Sequence, residues 1–239
     1  MRIAILLVGV SSVWAQSALN RPVLGQMIDR QQSLRPVNGL GGSFHVEHST
    51  LEGALSTACA GTLCLAKTES AMVFGSSATP APVGPAEIAV DSTGATIYFP
   101  SVQQFGRWQN GSLTMLSLAV YGTVVSVGSG SSGLTIAVER SGVVWIITAD
   151  GLILDSLPPD AGAVLLTASG VVYTTSGALI LRKPDGSELS FPAPGVEDLF
   201  ALGDGYVEAR AGNVLYALRT TAGREQLFQL PQPEVERRR

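Results

Sequence analysis

From residue 53 onward, the chain alternates short apolar runs with turns that contain glycine. The runs hold four to eight residues and are rich in Val, Ile, Leu, Thr and Tyr. Runs of this kind, bounded by Gly, Asp or Asn, are typical of β-strands joined by hairpins. Asp150-Gly151 and Asp185-Gly186 suit type I′ turns, because glycine readily adopts the positive φ that these turns need. An apolar period of 3.6 residues is absent from this part of the sequence, so we predict an all-β chain.

The turns also recur on a longer scale. A glycine stands where each new set of about four strands begins, and the intervals between these glycines are 31, 38, 40 and 33 residues. Repeats of about 40 residues with four strands each are typical of β-propeller blades. We therefore predict a small β-propeller of about five four-stranded blades. The glycines are Gly53, Gly84, Gly122, Gly162 and Gly195.

Some strands are apolar on both faces, as in residues 143–147 and 214–218. A two-layer sandwich leaves one strand face in water and favours alternation of apolar and polar residues. A blade is covered by a neighbour on either side, which explains strands without alternation. The centre of a large sandwich would show the same pattern, so a sandwich or another repetitive β architecture is the alternative fold.

One repeat has a recognisable motif. Residues 87–99 read EIAVDSTGATIYF, an apolar strand, an Asp, a small-residue turn ending in Gly, and a strand containing Ile-Tyr. This stretch resembles a blade of the NHL repeat, whereas residues 165–173 keep only the strand-turn-strand outline. The sequence lacks the Trp-Asp pairs of WD repeats, and its double glycine, Gly41-Gly42, does not recur from repeat to repeat as in the kelch signature. NHL-like propellers include extracellular sensors, lyases and protein-binding platforms, so the resemblance implies a fold rather than an activity.

The first 15 residues have the layout of a secretory signal peptide. Arg2 precedes an apolar run over residues 3–10, and small residues lead to Ala15, after which we predict cleavage. The run is shorter than the roughly 20 residues that cross a bilayer. We therefore expect a secreted or periplasmic protein with no membrane span after cleavage.

The rest of the chain divides into three parts. Residues 16–52 are predicted to form a hairpin from residues 23–29 and 34–37 that packs beside the first or last blade. A short helix after Pro22 is the alternative for this segment. Residues 53–233 are the propeller-like domain, and residues 234–239 read as a frayed tail.

Composition adds two constraints. Apolar residues make up 46% of the 239 residues and charged residues 14%, which is ample for a packed core. The formal net charge is -4. Proteins that bind polyanions normally cluster Lys and Arg, so we do not expect nucleic acid as a partner.

Cys59 and Cys64 are the two cysteines of the chain, and an even count in an exported protein allows a disulfide. If Gly61-Thr62 forms a two-residue turn, the two cysteines face each other in a non-hydrogen-bonded pair, close enough to bridge. If the turn is Ala60-Gly61, the register shifts and both cysteines are small buried residues. Their spacing is not that of a Cys-x-x-Cys redox motif.

Two motifs with apparent chemistry have simpler explanations. His45 and Glu47 share one face of a strand and His48 points to the other, so three ligands do not converge on a metal. Residues 128–133, read GSGSSG, match the dinucleotide fingerprint, but a strand follows where the phosphate site needs a helix N-terminus. We interpret them as a hairpin or an interblade loop, and we predict no metal, no cofactor and no catalytic residue.

The leading functional hypothesis is an exported, non-enzymatic binding or scaffold module whose loops at one end of the channel contact a protein or a small-molecule ligand. Arg107, Trp108 and Tyr121 are candidate contacts, although aromatic residues more often pack in the core. A structural envelope protein that assembles through blade edges is one alternative. Another is a propeller hydrolase or lyase with a channel metal, which requires convergence of several carboxylates among Glu87, Asp91, Glu139, Asp198 and Glu208.

Overall fold

The computed structural model describes residues 22–130, 133–203 and 205–231, and all of their regular elements are β-strands. Within these ranges no helix is long and apolar enough to cross a membrane. The predicted signal peptide and the predicted tail at 234–239 lie outside the described residues. The prediction of an all-β propeller is confirmed.

The strands form six antiparallel sheets that we call blades 1 to 6. Blade 1 has three strands: β1 (Val23–Ile28), β2 (Leu34–Leu40) and β3 (Ser43–Val46). Blade 2 comprises β4 (Ser56–Ala60), β5 (Leu63–Lys67), β6 (Ala71–Phe74) and β7 (Ser77–Pro80). Blade 3 comprises β8 (Glu87–Asp91), β9 (Gly94–Phe99), β10 (Gln104–Gln109) and β11 (Ser112–Leu116). Blade 4 comprises β12 (Thr123–Gly130), β13 (Gly133–Arg140), β14 (Val143–Thr148) and β15 (Ile153–Ser156). Blade 5 comprises β16 (Val164–Thr167), β17 (Gly170–Thr174), β18 (Ala178–Arg182) and β19 (Glu188–Pro192). Blade 6 comprises β20 (Asp198–Gly203), β21 (Tyr206–Ala211), β22 (Val214–Arg219) and β23 (Gln226–Gln229).

The five predicted repeats correspond to the five four-stranded blades. Each of the five repeat glycines lies within three residues of the first strand of a blade. The blade count is six rather than five, because the predicted N-terminal hairpin gains a third strand, Ser43–Val46, and becomes a blade of its own. The short helix considered as the alternative for this segment is not formed.

Turn chemistry explains why successive strands within a blade pair tightly. Asn110 and Gly111 have φ values of 50° and 78°, and Ser141 and Gly142 have 52° and 78°. Positive φ at both central residues is the requirement of a type I′ turn, whose twist matches that of the flanking strands. These turns fix the registers of β10 with β11 and of β13 with β14.

The first strands of blades 2 to 6 surround the axis, and β20 contacts β4 directly to close this inner ring. Strand β1 of blade 1 packs against both β20 and β4 but runs in the opposite direction. Gly25, near the start of β1, lies against the carbonyl of Leu202 near the end of β20. Ile28, at the end of β1, accepts a hydrogen bond from Arg210, and Arg210 pairs with Asp198 at the start of β20. Blade 1 is therefore a wedge between blades 6 and 2, and five inner strands line the channel.

Apolar packing lies between the blades. Each of the six blade-to-blade contacts has its own cluster of buried side chains. Val172 and Leu181 of blade 5, for example, pack against Val207 and Leu218 of blade 6. Because both faces of a blade are covered, strands such as β14 carry apolar residues at successive positions, as the sequence pattern indicated.

Candidate functional site at the channel mouth

All five inner strands end at the same face of the propeller, and their ends surround a cavity of about 110 Å³. We call this cavity the channel mouth. Every described residue that lines it belongs to blades 2 to 6, and none to blade 1. The lining consists of residues 58–60, 88–90, 127–129, 166–169 and 205–207, with Ala201, Gly203 and Thr220.

One side of the channel mouth is aliphatic. Blade 2 contributes Ala58 and Ala60, and blade 3 contributes Ile88 and Val90. Ile88 and Val90 also pack against the apolar cluster between these two blades. This aliphatic wall is therefore held by the core and favours contact with an apolar group.

The other side, which we call the hydroxyl wall, is formed by blades 4, 5 and 6 and is mixed. It contains aliphatic residues such as Val127, Leu166 and Val207, and residues that carry hydroxyl groups, namely Ser129, Thr167, Ser169, Tyr206 and Thr220. Hydrogen bonds fix the positions of several of them. Thr220 Oγ1 donates to Ser169 Oγ at 3.3 Å, and the Thr220 amide donates to the carbonyl of Gly205 at 2.8 Å. Thr167 Oγ1 donates to the carbonyl of Gly170 at 3.0 Å. The hydroxyl wall thus offers neutral donors and acceptors at defined positions.

Tyr206 connects the hydroxyl wall to blade 1. Its ring is half-buried and packs edge-on against Phe44 of β3, with 6.4 Å between the ring centroids. Phe44 in turn packs against Phe228 of the outermost strand of blade 6 at 5.4 Å. The wedge blade supports the channel mouth without lining it.

The cysteine hairpin forms part of the rim. Gly61-Thr62 is the turn between β4 and β5, and Cys59 lies directly opposite Cys64. Their Cα atoms are 4.1 Å apart and their sulfur atoms are joined at 2.12 Å. Cys59 itself lines the channel mouth, so this hairpin belongs to the site.

No charged side chain lines the channel mouth among the described residues. Asp91 follows the lining residue Val90, but both of its carboxylate oxygens accept hydrogen bonds from Arg107, at 2.6 and 2.9 Å. These bonds hold the pKa of Asp91 well below its usual range. Asp91 is therefore a paired anion that fastens β8 to β10.

The carboxylates that a channel metal would need do not converge. Glu87 and Asp198 are the first residues of β8 and β20, at the opposite end of the channel from the mouth. Glu139 lies exposed on β13. Within the described ranges, no group of three or more His, Cys, Asp or Glu residues is arranged to hold a metal ion.

Two of these carboxylates have a raised pKa. Burial raises the pKa of Glu87, which pairs with Tyr98 across β8 and β9, to about 7. Burial also raises the pKa of Glu208, which is completely buried on β21. Its Oε1 accepts a hydrogen bond from Arg210 at 2.6 Å, and its Oε2 has no partner among the described residues. Both groups lie between blades, where they affect stability.

The three predicted contact residues do not reach the channel mouth. Arg107 is engaged by Asp91, and Trp108 is 5% exposed in the core beside Phe74. Tyr121 is 82% exposed and has the guanidinium of Arg140 over its ring at 5.5 Å, but it precedes β12 and so lies at the other end of the propeller. Tyr121 remains available for contacts at that face.

The two weaker motifs also have structural roles. His45 is exposed on β3 and pairs with Asn38, whose side chain donates a hydrogen bond to Glu47. Residues 128–130 and 133 belong to the hairpin of β12 and β13, in agreement with the hairpin interpretation. Gly128 and Ser129 nevertheless line the channel mouth, a role that the fingerprint pattern did not indicate.

Comparisons with known proteins identify the fold. No protein-family model matches the chain, and no curated protein matches it. Among solved structures, PorZ, a surface component of the type IX secretion system of Porphyromonas gingivalis, is similar with a TM-score of 0.51, at 12% identity over 87% of this chain. The chain spans about a third of the length of PorZ, at 32%.

Two further structures are similar at lower scores. Apo AztD from Citrobacter koseri has a TM-score of 0.44 at 11% identity, over 87% of this chain and 70% of its own. The extracellular domain of a two-component system from B. thetaiotaomicron has a TM-score of 0.45 at 13% identity, over 91% of this chain and 34% of its own. Similarity at such identities concerns the fold alone, and NHL-like character is not distinguished from that of other propellers.

Proposed function

We propose that this protein is an exported, non-enzymatic binding module that receives its ligand at the channel mouth. The observation that carries this proposal is the cavity where the five inner strands end, with one aliphatic wall and one hydroxyl wall. Binding sites are typically concave and largely apolar, with a few polar groups that fix orientation. The channel mouth has this character.

The residues of the cavity favour binding over catalysis. General acid–base or nucleophilic catalysis needs a titratable or activated group within hydrogen-bond reach of the reacting atoms. The described lining contains no His, Lys, Arg, Asp or Glu, and its one thiol group, that of Cys59, is joined to Cys64. The carboxylates of the alternative hydrolase hypothesis lie elsewhere.

Export is supported by two features of the chain. The first 15 residues have the layout of a signal peptide, and the two cysteines are joined across a hairpin. Disulfides persist in oxidising compartments such as the periplasm and the extracellular space. The proposed location is therefore outside the cytoplasm.

The proposal is tested by saturation-transfer NMR of the mature protein with a panel of uncharged fragments. Ala168 is exposed at the rim of the channel mouth, so Ala168→Phe places a ring over the cavity without disturbing the core. Ala149→Phe is the matched control, since Ala149 is an exposed turn residue outside the lining. We expect fragment saturation in the parent and in Ala149→Phe, and its loss in Ala168→Phe. Equal saturation in all three proteins would refute the channel mouth as the binding site.

A second candidate role is assembly through a blade edge. Leu152, Ile153 and Leu154 are 63%, 51% and 49% exposed at the start of β15, the outermost strand of blade 4. By contrast, the outer strands β7 and β19 end in Pro80 and Pro192, and proline discourages edge pairing. Light scattering over a concentration series tests this role. If the measured molar mass increases with concentration and Leu152→Ser/Leu154→Ser abolishes the increase, the role is supported. A constant monomer mass excludes it.

A further inference from the structure

The channel mouth has properties that narrow the class of ligand, and the following inference rests on the proposed binding function. Three properties are relevant: the volume of the cavity, the absence of charge among its described lining residues, and the difference between its two walls.

The volume limits how much of a ligand can enter. Pockets that bury a whole small molecule usually measure roughly 300–1,000 Å³. The channel mouth measures about 110 Å³. It therefore accepts one side chain or a similar small group, and the rest of the ligand must lie outside the cavity.

The described lining residues carry no charge, and this disfavours the entry of ionic groups into the cavity. Asp91, which follows the lining residue Val90, is already paired with Arg107 through two hydrogen bonds. An ammonium, carboxylate or phosphate group that entered would lose its hydration without gaining an ion pair, which is strongly unfavourable. The group that enters is thus uncharged.

The two walls specify what the entering group and its surroundings should be. The aliphatic wall, with Ile88 and Val90, stabilises an aliphatic side chain by burying its surface. The hydroxyl wall, with Ser129 and Ser169, can donate to carbonyls and accept from amide N–H groups. An aliphatic side chain flanked by peptide groups presents this combination within one short segment.

We propose that the channel mouth binds an uncharged peptide segment and takes up one aliphatic side chain, such as leucine or valine, while the adjacent peptide groups bond to the hydroxyl wall. The partner is accordingly a protein or peptide with an exposed aliphatic residue between uncharged neighbours. The hydroxyl wall fixes the direction of the segment, and the aliphatic wall selects the inserted residue.

The test uses acetylated and amidated peptides of the form Ser-Gly-X-Gly-Ser, with X as Leu, Asp or Lys, and protein amide shifts as the readout. We expect the Leu peptide to bind at least about tenfold more tightly than the Asp and Lys peptides, because the latter insert a charge without a partner. Its affinity should change little between 50 and 500 mM salt, about the range over which ionic contacts are screened. Asp or Lys peptides that bind as tightly as the Leu peptide would overturn the inference.

Two variants test the occlusion of the cavity and the contribution of one hydroxyl group, and Ala149→Phe is the control. Ala168→Phe should abolish binding of the Leu peptide while Ala149→Phe retains it. Ser169→Ala should weaken binding about fivefold through the loss of a hydrogen bond of about 1 kcal/mol. If uncharged fragments show saturation transfer with the parent protein but not with Ala168→Phe, and none of the peptides binds, the proposed ligand class is wrong and the binding function stands. If neither fragments nor peptides respond to Ala168→Phe, both proposals fail.

Discussion

Arg210 of blade 6 donates a hydrogen bond to the backbone carbonyl of Ile28 in blade 1, across 182 positions of the chain. Arg30 of blade 1 donates in return to the carbonyl of Gly212 in blade 6. These reciprocal bonds join the beginning of the described chain to its last blade. Ring closure therefore depends on arginine side chains as well as on the apolar cluster between the two blades.

Replacement of Arg210 should be costly. Arg210→Met removes the bond to Ile28 and leaves Glu208 completely buried without its counter-charge. Loss of one partner of a buried ion pair typically costs about 3–5 kcal/mol. Urea unfolding should show this loss. Arg210→Met/Glu208→Leu should recover the part that comes from the unpaired buried carboxylate, while the part that comes from the lost bond to Ile28 remains. A cost below about 1 kcal/mol for the single variant would show that Arg210 does not hold the closure.

The close approach of Gly25 to Leu202 gives a second test of closure. A Cβ at Gly25, where φ is +152°, would lie 1.4 Å from the carbonyl oxygen of Leu202. Gly25→Ala must therefore separate β1 from β20, and we expect a destabilisation of about 3 kcal/mol or more.

Gly53→Ala is the matched control for this variant. Gly53 also has positive φ, +71°, but no atom lies within 4 Å of an added Cβ. The unfolding free energy of Gly53→Ala should fall by only about 1–2 kcal/mol, the cost of placing a non-glycine residue at positive φ. Equal unfolding free energies for the two variants would contradict the packing of blade 1 against blade 6.

Glu87 should make stability depend on pH. Its folded pKa is about 7, above the ordinary 4.5, because of burial. The folded state therefore keeps a proton that the unfolded state releases, so the contribution of Glu87 is fully present below pH 4.5 and is lost as pH rises to 7 and above.

Glu87→Gln isolates this contribution. The variant should gain stability relative to the parent protein as pH rises from 4.5 to 8, by at most about 3 kcal/mol. The measurement is the difference in unfolding free energy between the two proteins at each pH, which removes the contributions that the two proteins share. A difference that stays constant with pH would refute a raised pKa for Glu87.

The cysteine pair should be oxidised in protein made in an oxidising compartment. Intact mass should increase by about 2 Da on reduction, and the unreduced protein should not react with a thiol reagent. The closed loop is short, so reduction should cost about 2 kcal/mol in the chain-entropy account. Two reactive thiols in protein isolated without reductant would contradict the bridge between Cys59 and Cys64.

The sequence was informative where structure is local. Glycines such as Gly84 and Gly162 marked the blade boundaries because each connection between blades requires a turn. The Gly61-Thr62 turn placed Cys59 opposite Cys64, as the structure has them. His45 was placed on a strand, but this strand was not assigned to a blade, because Ser43–Val46 has only four residues and weak apolar character. The wedge position of blade 1 depends on contacts with β20 and β4, far away in sequence, which no local pattern contains.

The channel mouth could not be predicted for a related reason. Its lining residues are small and common, as with Ala58, Ser129 and Ser169, and each blade contributes only a few. Most of them lie on the first strand of a repeat or just after its end. The predicted contacts favoured large residues such as Trp108, which proved to be buried in the core. Alignment of the repeats with one another would have grouped the strand ends, but not shown that they enclose a cavity.

The central claim is that ligands bind where the five inner strands end. Amide-resolved NMR during titration with the capped Leu peptide tests it most directly. We predict that shift changes concentrate on amides at the channel mouth, those of Ser129, Ser169, Gly203 and Gly205, while Glu87 and Asp198 at the opposite end stay unchanged. Shift changes centred on that opposite end, or on the exposed edge of β15, would contradict the account.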